Sequence, residues 1–86
     1  MPNHTIHRTN TINVNGYTLH VVVYDDGFGV LTVSDQATGE WHGIFVHARD
    51  QADTLFNHAQ REASDETRPR ISPTELLSRI PKPRLR

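Results

Sequence analysis

The chain has 86 residues, 35% of them hydrophobic, with ten acids, nine Lys or Arg, and no cysteine. That length supports one domain, and the missing cysteine excludes a disulfide scaffold, a zinc ribbon and a thiol nucleophile. The longest strongly apolar stretch, Val21 to Tyr24, is far shorter than the ~20 residues of a spanning helix, and the polar start Met-Pro-Asn-His-Thr-Ile-His has no apolar signal core, so a cytoplasmic protein is expected.

A domain this small has a thin core, and a protein partner or a homodimer is a natural source of extra stability. The near-neutral net charge of −1 conceals a split. Asp25 to Glu66 holds nine carboxylates against Arg49 and Arg61. From Arg68 onward the balance reverses, with Arg68, Arg70, Arg79, Lys82, Arg84 and Arg86 against Glu75. An acidic body with a basic tail is the expected layout, divided as residues 1–66 (sheet and helix) and 67–86 (short helix and Pro/Arg tail).

The first nine residues are polar and without period, and read as a loose arm or an edge strand. Asn15-Gly16 then separates two alternating runs. Both residues accept φ > 0, as a type I′ hairpin turn requires. Ile12 and Val14 share one face of the first strand, and Tyr17, Leu19, Val21 and Val23 one face of the second. Asp25-Asp26-Gly27 forms the next turn. Phe28 to Ser34 reads as a third strand, with Phe28, Val30 and Thr32 opposite Leu31 and Val33. A loop closed by Gly39 leads into a fourth strand, Glu40 to Ala48. There Ile44 and Val46 oppose Trp41 and Phe45, so one apolar face covers the core and the other is a candidate exposed patch.

Asp50 reads as an N-cap. Ala52, Leu55, Phe56, Ala59 and Ala63 then recur at spacings of three and four, the stripe of an amphipathic helix lying across the sheet. Ser64 to Arg70 reads as a polar linker. Ser72-Pro73-Thr74-Glu75 is a capping box with proline at the first helical position. It opens a short helix carrying Leu76, Leu77 and Ile80, which Pro81 ends. The fold expected is α+β, a four-stranded antiparallel meander packed by one helix from about Asp50 to Ala63, then a short helix and a basic tail.

Few residues carry the spacing of a chemical site. The six histidines, His4, His7, His20, His42, His47 and His58, show no convergent set of three or four, which a zinc site needs, so no metal or other cofactor is expected. Ser34-Asp35 lacks the glycine-flanked strand-to-helix turn of a serine nucleophile. Glu40 and His42 share a strand face, but two adjacent polar residues on a solvated strand need no catalytic role. Gly27-Phe28-Gly29 enters a strand, whereas a phosphate loop opens a helix. The chain therefore reads as non-catalytic. Tyr17, Trp41 and Phe45, with Asp25, Asp26 and Glu40, form the candidate partner-binding set, since aromatics are enriched at protein–protein hot spots. The alternative site is the basic tail, Arg68, Arg70, Arg79, Lys82, Arg84 and Arg86, which suits phosphate contact.

The run Tyr24-Asp25-Asp26-Gly27-Phe28-Gly29-Val30-Leu31-Thr32-Val33-Ser34-Asp35, a strand, and then Asp53-Thr54-Leu55-Phe56-Asn57 in a helix resembles antitoxins of the HicB type. That resemblance implies a β-β-β-α domain that neutralises a small RNA-cleaving toxin. In size, acidic body and layout the chain also resembles phage-encoded anti-CRISPR proteins, which implies a binder that blocks a Cas nucleoprotein. The leading expectation is an inhibitor of a nucleic-acid-handling protein, of mobile-element type, acting through the free sheet face. An antitoxin and a nucleic-acid-binding module are the alternatives.

Overall fold

The computed structural model describes residues 5–67 and 69–81. Four strands, β1 (Ile6–Val14), β2 (Tyr17–Tyr24), β3 (Gly29–Asp35) and β4 (Trp41–Val46), form one antiparallel sheet in the order β1-β2-β3-β4, followed by helices α1 (Arg49–Ser64) and α2 (Pro73–Arg79). The meander follows from its turns. Asn15 and Gly16 take φ of 52° and 80°, the paired left-handed conformation of a hairpin whose twist matches its strands. β1 is longer than the alternation of Ile12 and Val14 suggested, and the polar residues from Ile6 onward form an edge strand.

Register sorts every side chain onto one of two faces. Leu19 pairs with Val33 and Val21 with Leu31, and Leu31 pairs in turn with Ile44. These, with Tyr17, Val23 and Val46, form the inner face. α1 lays Ala52, Leu55, Phe56, Ala59 and Ala63 on it, the stripe that the spacing predicted. α2 adds Leu76, Leu77 and Ile80 to the same buried cluster, so residues 73–80 complete the core of residues 6–64. Both helices lie on one side of the sheet, and no described element covers the other.

Gly29 has a steric reason. A Cβ there would stand 2.2 Å from the Val22 carbonyl oxygen, so only a residue without one lets β2 and β3 approach this closely. The start of α1 differs from expectation. Ala48 is the cap residue and supplies no side-chain bond, while Asp50 lies inside the first turn, where its charge still favours the helix dipole. Arg49, the first residue of α1, donates from Nη2 to the Asp25 carbonyl oxygen at 2.7 Å. At α2 half of the capping box forms. Ser72 Oγ accepts from the Glu75 N–H at 3.2 Å, while the Glu75 carboxylate turns to Arg79 at 2.7 Å.

Arg70 holds the linker between the helices against the sheet. Its Nε donates to Asp35 Oδ2 at 3.1 Å, Nη1 to the Asn15 carbonyl at 2.7 Å and Nη2 to the Gly16 carbonyl at 2.8 Å. The guanidinium also stacks 4.1 Å from the Tyr17 ring centroid. Tyr17 Oη donates to the Ile71 carbonyl at 2.6 Å. Asn15 Nδ2 donates to the Ala63 carbonyl at 3.0 Å, one of the acceptors that a helix end leaves open. The β1–β2 turn is thus the junction where strand, helix end and linker meet.

Asp35 is buried, and the hydrogen bond from Arg70, seconded by the Ala37 N–H, holds its carboxyl below the usual carboxylate range. A depressed native pKa adds stability that is present above the unfolded value of ~3.9 and is lost as pH falls through the native one. Thermal melting across acid pH should therefore show wild type losing stability below pH ~4. Asp35→Asn should melt lower at neutral pH and lose less on acidification. Equal acid slopes for the two proteins would show that the clamp does not act through this charge.

Candidate docking surface

The uncovered face is built from the residues that alternate with the core positions. β3 contributes Val30, Thr32 and Ser34, which pair with Phe45, Gly43 and Trp41 of β4. β2 contributes Thr18, His20, Val22 and Tyr24. At one end Trp41 is 69% exposed, and at the other Phe45 is 76% and Phe28 52% exposed. Four residues of strand set Trp41 and Phe45 about 13 Å apart, with the Cβ-free Gly43 between them. Tyr24, Phe28, Gly29, Val30 and Phe45 line a shallow apolar groove of about 260 Å³. His47 closes against Phe28 edge to face, with ring centroids 6.0 Å apart.

The middle of the face is polar. Thr11 Oγ1 and His20 Nδ1 share a 2.6 Å hydrogen bond. Gln36 Nε2 donates to Asn13 Oδ1 and Thr18 Oγ1, both at 3.0 Å. These bonds lie on the β1–β2 side of the face, while the exposed rings of Trp41 and Phe45 stand on β4.

Charge rims the surface at both ends. Asp25 and Asp26 lie in the turn beside Phe28, and Glu40 precedes Trp41, all three exposed. Among the described residues ten carboxylates stand against five arginines. Four of those arginines are engaged by the chain itself: Arg8 with Asp53 at 2.8 Å, Arg70 with Asp35, Arg79 with Glu75 and Arg49 with the Asp25 carbonyl. Among the described residues the charge presented outward is negative.

Of the aromatic set that the sequence suggested, Trp41 and Phe45 share the face and Tyr17 does not. Tyr17 is 3% exposed and lies on the inner face beneath Arg70, because its number has the parity of Leu19, Val21 and Val23. Phe28 takes its place in the patch. Its alternation with Val30 and Thr32 carried that signal in the sequence.

The basic tail is also revised. Arg70 is a structural clamp and Arg79 pairs along its own helix, so neither is a free cation. Arg68, Lys82, Arg84 and Arg86 lie outside the described residues, as does His4. The remaining histidines do not converge, and no group of three His, Asp or Glu among the described residues is arranged to hold a metal ion. No hydrogen bond joins Glu40 to His42; Glu40 Oε1 instead accepts from Thr38 Oγ1 at 3.4 Å. A second hollow, of about 320 Å³, adjoins the Arg70 clamp and is rimmed by Glu62, Asp65 and Glu66. No described helix is long and apolar enough to cross a membrane. No family model, curated protein or solved structure matches this chain.

Proposed function

We propose that the chain is a non-catalytic binding protein that docks its uncovered sheet face on a basic, nucleic-acid-handling protein and inhibits it in the cytoplasm. The supporting observation is the pair of aromatic rings, Trp41 and Phe45, held in water on a face that neither helix covers. Exposed apolar patches of this kind mark interaction sites. The carboxylates at both ends select the partner's charge. Proteins that bind phosphate backbones carry basic surfaces, and an acidic rim steers association with such a surface and rejects acidic ones. A Cas nucleoprotein and an RNA-cleaving toxin are the two partner types that the resemblances imply.

The nucleic-acid reading is weaker because two of its six cations, Arg70 and Arg79, already have protein partners. The test is capture from host lysate with wild type and with the Trp41→Ala/Phe45→Ala double variant as bait. The expected result is a basic nuclease, Cas component or toxin that wild type retains and the double variant loses. Recovery of no such protein, or its equal recovery on both baits, counts against the proposal.

A further inference from the structure

The two edges of the sheet are built differently. β1 is guarded, since its pairing with β2 is interrupted between Ile6 and Arg8 and its Arg8 is held by Asp53. β4 has no such device. Its register with β3 runs unbroken from Ser34–Trp41 to Gly29–Val46, and Trp-His-Gly-Ile-Phe-Val contains no Lys, Arg, Asp, Glu or Pro. Charges, prolines and bulges are the means by which edges avoid pairing with another chain.

The backbone groups that β4 turns outward follow from two hydrogen bonds. The Tyr24 N–H donates to the Phe28 carbonyl and the Asp35 N–H to the Glu40 carbonyl, both at 2.8 Å. Bonded and non-bonded pairs alternate along an antiparallel ladder. Val30, Thr32 and Ser34 therefore bond to β2, and Leu31 and Val33 bond to Ile44 and His42 of β4. That leaves the N–H and C=O groups of Trp41, Gly43 and Phe45 pointing out from the edge, where no strand among the described residues lies beside β4.

We infer that β4 pairs antiparallel with β4 of a second copy, in a symmetric register centred on Gly43. The outward groups belong to Trp41, Gly43 and Phe45, so the bonded pairs join these residues to one another. A two-fold axis perpendicular to the sheet keeps the uncovered faces on the same side. Centred on Gly43, this register sets Trp41 opposite Phe45 of the second copy, and Phe45 opposite its Trp41. These are cross-strand aromatic pairs of the kind that stabilise sheets. Gly43 faces its own copy with no side chain to obstruct the join.

The register selects a second copy's β4 as the occupant, since the outward groups of Trp41, Gly43 and Phe45 are symmetric about Gly43 and so complement themselves. Trp-His-Gly-Ile-Phe-Val carries no Lys, Arg, Asp or Glu, so the paired edges bring no like charges opposite each other. Four fully enclosed rings would bury roughly 600–1,000 Å², short of the ~1,200 Å² of a standard stable interface, so the dimer is weak and concentration-dependent. Its product is one eight-stranded sheet presenting a doubled aromatic face. The inference does not depend on the partner proposed above.

Sedimentation equilibrium of the full chain over a wide concentration range tests it, with Gly43→Pro and Phe45→Lys as variants. The Gly43→Pro change removes an N–H that points outward from the edge, a position at which an edge strand tolerates proline. The expected result is a wild-type mass rising toward twice the monomer and both variants remaining monomeric. Amide exchange of wild type keeps the test open should Gly43→Pro misfold: the N–H groups of Trp41, Gly43 and Phe45 should slow with concentration. A wild type monomeric throughout overturns the pairing and leaves partner capture unaffected. A dimer that survives Gly43→Pro but not Phe45→Lys overturns it in favour of stacking through the faces.

Discussion

Replacing Leu76 with alanine should lower the unfolding free energy by about 2–5 kcal/mol, the usual cost of emptying a fully buried leucine site. The whole stability of a small domain is only ~5–15 kcal/mol, so this one change removes a large share. The expectation comes from the position of α2. Its seven residues are fewer than the ~12–15 that an isolated helix needs to be even marginally stable in water. Its order therefore derives from docking Leu76, Leu77 and Ile80 into the cluster formed by the sheet and α1. Urea unfolding should show a lower midpoint with an unchanged slope. Glu75→Gln, on the exposed side of the same helix, removes only a surface pair with Arg79 and should cost ~0.5 kcal/mol or less. If Leu76→Ala unfolds at the wild-type midpoint, residues 73–80 are an appendage and the common core is wrong.

The same helix shows what the sequence carried and what it withheld. Period-two alternation from Ile12 to Val46 and the three-four spacing from Ala52 to Ala63 are local properties. They sufficed for the four strands, the principal helix and the face of nearly every apolar residue. Tyr17 illustrates a signal that was present but outweighed, because its parity with Leu19 and Val21 placed it in the core while its aromatic character suggested a contact surface. The Arg70 clamp carried no local signal. Its partners Asp35, Asn15, Gly16 and Tyr17 lie more than thirty residues away in the chain, and only the folded register brings their acceptors around one guanidinium. For the same reason the charge runs misled. Counting Arg70 and Arg79 among free cations ignored that a carboxylate elsewhere, or four residues earlier, already held each of them. The exposed aromatic face was legible through the opposition of Trp41 and Phe45 to Ile44 and Val46. The groove beside Phe28 was not, since it needs β2, β3 and β4 side by side.

The Trp41→Ala/Phe45→Ala double variant should keep its fold and lose its partner. Both rings project from the sheet into water, so their removal opens no cavity. What each loses is strand preference and packing against its neighbours on the face, together no more than about 1 kcal/mol per site. Thermal melting should fall by far less than for Leu76→Ala. Binding should respond in the opposite proportion. Aromatic hot-spot residues typically contribute ~2 kcal/mol or more each, and every 1.4 kcal/mol is about tenfold in affinity, so losing the pair should weaken partner binding by several hundredfold. The acidic rim should behave differently again. Asp25→Asn with Glu40→Gln should slow association and flatten its salt dependence while leaving dissociation nearly unchanged, because rim charges act on encounter. This division separates a docking surface from a structural one. A face that mattered only for folding would lose stability and affinity together, whereas one that meets a basic partner loses affinity alone, in dissociation when the rings go and in association when the charges go.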